Sequence, residues 1–90
     1  MKYFDWDETK NEWLKSERGV GFEDVLIAVE EGNVLDDLEH PKRKNQRQMV
    51  IKHNNYAYLV PYVENNEKLF LKTMYPSRKA TRIYLEGGDP

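Results

Sequence analysis

The hydrophobic pattern changes its period at Gly32, and this change limits the chain to folds that combine helices with a sheet. Before Gly32, the apolar residues of "FEDVLIAVE" (22–30) recur at helical spacing. After it, "RQMVIKH" and "YAYLVPYVE" alternate as strands do. The 90 residues are enough for one domain with a small core. We therefore expect residues 1–90 to form a single α+β domain.

Local signals predict where the elements begin and end. Asp7 is suited to cap a helix that runs to about Glu17, Gly19 breaks it, and a second helix covers about Phe22 to Glu31. Strands are expected over "NVLDDLEH", "RQMVIKH", "YAYLVPYVE" and "LFLKTMY", with a tight turn at Asn54-Asn55. The predicted fold has two N-terminal helices, an antiparallel sheet of three or four strands and a short C-terminal helix.

Two prolines add further limits. Pro61 has no N–H to donate, so its strand should lie at an edge or be bulged at that point. Pro76 precedes Ser77, which is suited to cap the C-terminal helix. The first turn of that helix holds Arg78 and Lys79 where a helix normally favours acids. These cations call for a carboxylate neighbour or an anionic ligand.

The composition excludes several classes of protein and site. The chain has no cysteine, which excludes disulfides, thiolate zinc sites and cysteine nucleophiles and suits a reducing cytoplasm. His40 and His53 lack metal-ligand spacing, and no glycine-rich phosphate loop or serine elbow occurs, so we expect no metal and no cofactor. The apolar stretches are far shorter than the ~20 residues that span a bilayer. We expect a soluble cytoplasmic protein with no membrane partner.

Charge is distributed unevenly along the chain. Residues 1–40 carry twelve carboxylates against four lysines and arginines, whereas residues 41–90 carry ten such cations against four carboxylates. This asymmetry predicts that the second half faces a polyanion. The alternative is that the two halves neutralise each other in salt bridges.

The basic residues and the tyrosines of the second half suggest a nucleic-acid ligand. "HPKRKNQR" (40–47) concentrates four lysines and arginines, and we expect this loop to lie over the same sheet edge as Arg78 and Lys79. Four tyrosines interleave with these cations and either stack on unpaired bases or line a half-buried sheet: Tyr56, Tyr58, Tyr62 and Tyr75. The alternative for the loop is that its cations are merely solvated.

Two separated motifs carry a family resemblance. "FDWDETKNEWLKSERGVGFEDV" at residues 4–25 and "SRKATR" at residues 77–82 resemble the BrnT-type toxins of bacterial type II toxin–antitoxin pairs, a branch of the RelE-like ribonuclease fold. The resemblance covers both ends of the chain and, loosely, Arg47 between them. It implies a RelE-like α+β fold and metal-independent endoribonuclease activity on RNA that inhibits translation and growth. It also implies a cognate antitoxin that binds DNA and forms a heteromeric complex with the toxin.

The chemistry of RNA cleavage, applied to the matching positions and to the other residues of suitable chemistry, selects the site residues. Cleavage requires proton transfer at the 2′-hydroxyl and at the leaving 5′-oxygen, together with stabilisation of the charge at phosphorus. We assign Arg47 and Arg78 to the scissile phosphate, and His53 and Tyr84 to proton transfer. The other cations are assigned to binding the RNA: Arg18, Lys42, Arg43, Lys44, Lys79 and Arg82.

The sequence departs from the family's pattern at one chemically important position. The family's Lys-His-Gly is Glu17-Arg18-Gly19 here, so a histidine suited to acid–base chemistry is replaced by a fixed cation. The alternative function is therefore a non-catalytic RelE-like module that binds protein or nucleic acid.

Overall fold

The computed structural model of the protein describes residues 2–87, which form three helices and the strands of one sheet. The elements are, in chain order, β1 (Tyr3–Trp6), α1 (Glu8–Arg18), α2 (Phe22–Glu30), β2 (Val34–Glu39), β3 (Gln46–His53), β4 (Tyr56–Glu64), β5 (Lys68–Leu71), β6 (Tyr75–Pro76) and α3 (Arg78–Leu85). The predicted α+β class is confirmed, as are two N-terminal helices and one C-terminal helix. None of these helices is long and apolar enough to cross a membrane.

The six strands form one mixed sheet in the order β1-β5-β4-β3-β2, with β6 paired to the first half of β4. Strands β2 to β5 make the predicted antiparallel meander. The prediction of three or four antiparallel strands was wrong in two respects. The segment before Asp7 is a strand that pairs in parallel with β5, and the predicted last strand is split into β5 and β6. The sequence did not predict β1 because its four residues are too few to show the period of a strand, and because its partner β5 lies far along the chain.

Pro61 lies inside the central strand β4, where the neighbouring strand changes. Its carbonyl accepts a hydrogen bond from the Lys72 amide at 2.9 Å, between the end of β5 at Leu71 and the start of β6 at Tyr75. The N–H and C=O of one strand residue point to the same side, so the position of the missing N–H faces this break. β4 is therefore not the edge strand that the sequence predicted, but the missing N–H of Pro61 falls in the gap between β5 and β6.

The two faces of the sheet are covered by different helices. On the helical face, α1 and α2 pack on the sheet in a core whose buried members are Leu14, Val20, Phe22, Val25, Ala28, Met49, Ile51, Val60, Tyr62, Leu71 and Met74. On the opposite face, which we call the α3 face, Ala80 packs against Val50 and Ala57, with Leu59 and Tyr84 partly buried beside them. Alternate residues of β3 and β4 therefore serve separate cores.

The predicted caps and turns are present. Asp7 accepts hydrogen bonds from the amides of Thr9 and Lys10, and Gly19 ends α1 with φ at 68°. Asn54 and Asn55 have φ of 52° and 61°, the left-handed pair that a two-residue hairpin turn requires.

Asn11 fixes the corner between α1 and α2. Its side chain is fully buried, and its Oδ1 accepts from the Phe22 amide at 2.7 Å. Its Nδ2 donates to Glu8 Oε1 at 3.2 Å and to Glu23 Oε2 at 2.9 Å. This one amide satisfies the first backbone N–H of α2 and so places the Phe22 ring in the core.

Replacing Asn11 with alanine is expected to lower the free energy of unfolding by about 2 kcal/mol, because the buried Phe22 amide loses its acceptor. Urea unfolding of Asn11→Ala measures this, with Glu12→Ala, an exposed neighbour on the same helix, as the control expected within ~0.5 kcal/mol of the native protein. Equal stability of the two variants would contradict this role of Asn11.

Candidate nucleic-acid interface

Within residues 2–87, ion pairing leaves most cations of the second half without a carboxylate partner. The ion pairs within residues 2–87 are Lys2–Glu64, Lys15–Glu23, Arg47–Asp37 and Lys68–Asp5. The second-half cations without an ion pair in this described range are Lys42, Arg43, Lys44, Lys52, Lys72, Arg78, Lys79 and Arg82. Mutual neutralisation of the halves therefore accounts for only two of the ten cations in the second half.

Five of these eight cations lie in two groups at opposite ends of the sheet, one of three residues and one of two. Lys42, Arg43 and Lys44, which we call the loop cluster, precede the first residue of β3. The start of α3 lies at the other end, where the Ser77 amide donates to the Ala57 carbonyl at 2.9 Å, just after the β3–β4 turn. These ends are ~24 Å apart along β3. The prediction that both groups share one sheet edge was wrong, because β5 and β6 carry the chain along the sheet to the hairpin end before α3 begins.

Several of the predicted residues lie at the hairpin end of the sheet, with His53 on the helical face and α3 on the opposite face. His53 closes β3, and its ring lies edge-on to Tyr58 at a centroid distance of 5.6 Å. Tyr58 is paired with Pro76, directly before Ser77 and the α3 cations. Arg18, at the end of α1, donates from Nη1 to the Met74 carbonyl at 2.7 Å. We define the hairpin-end site by four residues: Arg18, His53, Arg78 and Lys79.

The first turn of α3 is held rigidly on the sheet. Ser77 Oγ accepts from the Ala80 amide at 3.0 Å, as predicted for a cap. Thr81 is buried; its Oγ1 accepts from the Ala57 amide at 2.9 Å and donates to the Ser77 carbonyl at 2.8 Å. Arg78 and Lys79 are exposed on this fixed turn, where the helix end favours an anion. The sequence analysis did not identify Thr81 as a residue that holds α3 on the sheet. The one sign of this role in the sequence is a hydroxyl at a helix position that faces the sheet.

Arg47 lies at the other end of β3 and is held by Asp37. Its Nε donates to Asp37 Oδ1 at 3.2 Å and its Nη2 to the Asp37 carbonyl at 3.1 Å. The buried Tyr62 hydroxyl donates to the same carboxylate at 2.7 and 2.9 Å. Burial and this carboxylate raise the pKa of Tyr62 to about 12, and Tyr62 and Asp37 together raise the pKa of Arg47. The guanidinium is ~20 Å from His53 along the strand.

Tyr84 lies on the α3 face, and its hydroxyl donates to Asp36 Oδ2 at 2.6 Å. This hydrogen bond raises the pKa of Tyr84 and lowers the pKa of Asp36. Asp36 and Asp37 are adjacent in β2, so their side chains point to opposite faces. Arg47 and Tyr84 therefore lie on opposite faces of the sheet, and the polar group of each is already engaged by an aspartate.

The remaining predicted RNA-binding residues lie outside the hairpin-end site. The loop cluster lines an open cleft of about 760 Å³ together with Arg47 and Glu64. The loop is shaped by His40, whose Nδ1 accepts from the Lys42 and Arg43 amides at 3.1 Å each. Arg82 is exposed one turn further along α3.

Comparison with known proteins assigns no family: no family model matches the chain, and neither the curated proteins nor the solved structures include a match. The resemblance to BrnT-type toxins depends on the two sequence motifs alone.

Tyr62 is expected to ionise only near pH 12. Its folded pKa is raised, so its stabilising contribution is full below the ordinary value of 10.0 and is lost as the pH rises from 10.0 to about 12. The stability advantage of the native protein over Tyr62→Phe should therefore shrink in this window. Urea unfolding and phenolate absorbance measured across the window test this, with Tyr3→Phe as an exposed control. A constant advantage up to pH 12 would contradict the assignment.

Proposed function

We propose that the protein is the toxin of a BrnT-type toxin–antitoxin pair, with a RelE-like fold, and that it cleaves RNA without a metal in the cytoplasm. The observation that carries this proposal is the hairpin-end site. Two exposed cations on a fixed helix start lie at the same end of the sheet as Arg18 and the one histidine placed for proton transfer. Charge for a phosphate and a side chain that can transfer a proton are the minimum that RNA cleavage needs.

Within this site the roles follow from the contacts. Arg78 holds the scissile phosphate with paired guanidinium donors, supported by the start of α3, and Lys79 holds the adjacent backbone. Arg18 uses one nitrogen on the Met74 carbonyl and has further N–H groups for a phosphate. Asn54 Nδ2 lies 3.3 Å from His53 Nε2, which is the nitrogen that accepts a proton once this contact opens. His53 takes the proton of the 2′-hydroxyl as the 2′-oxygen bonds to phosphorus, and gives it to the 5′-oxygen as the bond between phosphorus and that oxygen breaks.

Arg47 and Tyr84 are better explained as anchors than as catalytic residues. Their polar groups are already engaged by Asp37 and Asp36, and each bond joins two elements of the fold. We therefore propose that Arg47 holds the edge strand β2 on β3 and that Tyr84 holds α3 on β2.

The antitoxin is proposed to bind through the acidic half of the chain. Residues 1–40, which include α1, α2 and β2, carry twelve carboxylates, and a basic partner would complement them. In this arrangement the antitoxin occupies the acidic surface, and the hairpin-end site stays accessible to RNA.

One observation favours a second candidate function, a non-catalytic RelE-like module that binds RNA or protein. With Arg47 and Tyr84 engaged elsewhere, His53 is the one predicted acid–base residue left at the hairpin end, and the family's histidine is Arg18 here. In this second function, the cations of the hairpin-end site bind RNA, and the RNA is not cleaved.

Reversing charge at the two ends of the sheet tests where RNA is cleaved. The protein, incubated with total RNA in EDTA, is expected to produce discrete fragments. Arg78→Glu should slow cleavage by about 100-fold because it removes the charge that stabilises the transition state. His53→Gln should slow cleavage by ~100-fold or more because it removes proton transfer.

Lys44→Glu is the matched control for Arg78→Glu, since both place a carboxylate on an exposed cation but at opposite ends of the sheet. The control should cleave within a few-fold of the native rate. Equal loss in both variants would contradict the hairpin-end site. A salt-sensitive mobility shift without fragments, weakened by Arg78→Glu, would instead establish the binding module.

A further inference from the structure

Helix α3 covers only part of its face of the sheet. It packs over Val50 and Ala57, whereas Val63 and Phe70 on the same face belong to neither core within residues 2–87. Register places the side chains of β5 residues Lys68 and Phe70 on this uncovered part. We call this region, formed by Gln48, Val63, Lys68, Phe70, Lys72 and Tyr75, the open sheet face.

The open sheet face combines half-exposed aromatic rings with cations. The ammonium groups of Lys68 and Lys72 each lie 5.6 Å from the centroid of the Phe70 ring. Tyr75 is also half-exposed, and its hydroxyl accepts from Gln48 Nε2 at 3.1 Å, which fixes the ring on the sheet. Aromatic rings on a sheet surface with lysines around them are suited to stack unpaired bases and to hold the phosphates between them.

The open sheet face continues directly into the hairpin-end site. Tyr75 begins β6, and Arg78 begins α3 three residues later. Phe70 lies in β5, which is joined to β6 by a short connection. A strand of RNA whose phosphate is held at Arg78 therefore reaches Tyr75 first and Phe70 next.

We propose that the open sheet face binds unpaired RNA nucleotides that flank the cleaved phosphate, with bases stacked on Tyr75 and Phe70 and phosphates held by Lys68 and Lys72. This proposal rests on the proposed function, because it takes the RNA path from the hairpin-end site. Charge favours RNA over a protein partner: Asp5, which faces this region from β1, already pairs with Lys68 at 3.0 Å, and Lys72 has no ion pair within residues 2–87. A duplex is excluded because its base faces are covered by their own stacking.

The test measures binding and not cleavage, so it remains informative if the nuclease proposal fails. A fluorescent 2′-O-methyl RNA, which cannot be cut, is titrated with the full chain and followed by anisotropy. Phe70→Leu keeps an apolar side chain but loses the ring, and should weaken binding by about tenfold. Phe70→Tyr keeps the ring and should bind as the native protein does.

A second measurement needs no variant. The same oligonucleotide with abasic positions keeps every phosphate, and the native protein should bind it about tenfold more weakly, as should the oligonucleotide annealed into a duplex. Affinity that is unchanged by the loss of bases, or equal in Phe70→Leu and Phe70→Tyr, would overturn the proposal. So would a Phe70→Leu variant that loses antitoxin binding while its RNA affinity is unchanged, because the face would then bind protein.

Discussion

The register of the β3–β4 hairpin decides which face of the sheet each central side chain occupies, and the rest of the structure depends on it. Ile51 lies opposite Tyr58 on the helical face, while Val50 lies opposite Leu59 beneath α3. A slip of one residue would exchange the two cores. The left-handed turn at Asn54-Asn55 prevents that slip, and the same turn defines the end of the sheet to which α3, Arg18 and His53 are fastened.

Two adjacent aspartates of the edge strand link the two faces. Asp36 binds the Tyr84 hydroxyl and fastens the last turn of α3, whereas Asp37 binds Tyr62 and Arg47 beside the helical face. Both tyrosines have raised pKa values, so these contacts hold from neutral pH up to the alkaline range in which the hydroxyls ionise. The same contacts explain why Arg47 and Tyr84, which the sequence assigned to one catalytic site, do not meet at one ligand.

Local signals were sufficient for the elements but not for their arrangement. Asp7, Gly19, the two asparagines and Ser77 each act within a few residues, so the sequence predicted those caps and turns correctly. The pairing of β1 with β5 joins distant segments and leaves no periodic trace in four residues. Likewise, charge counting identified the loop cluster and the α3 cations but could not place them at opposite ends of β3, because that depends on the path of the hairpin.

Function is proposed to follow from this geometry, with RNA held at the hairpin end and extending over the open sheet face. The most direct measurement is amide chemical-shift mapping of the labelled protein with a non-cleavable single-stranded RNA. The account predicts the largest shifts in residues 53–58 and 74–79, followed by β5, with little change in residues 40–47. Shifts confined to the loop cluster, with the hairpin end unchanged, would contradict it.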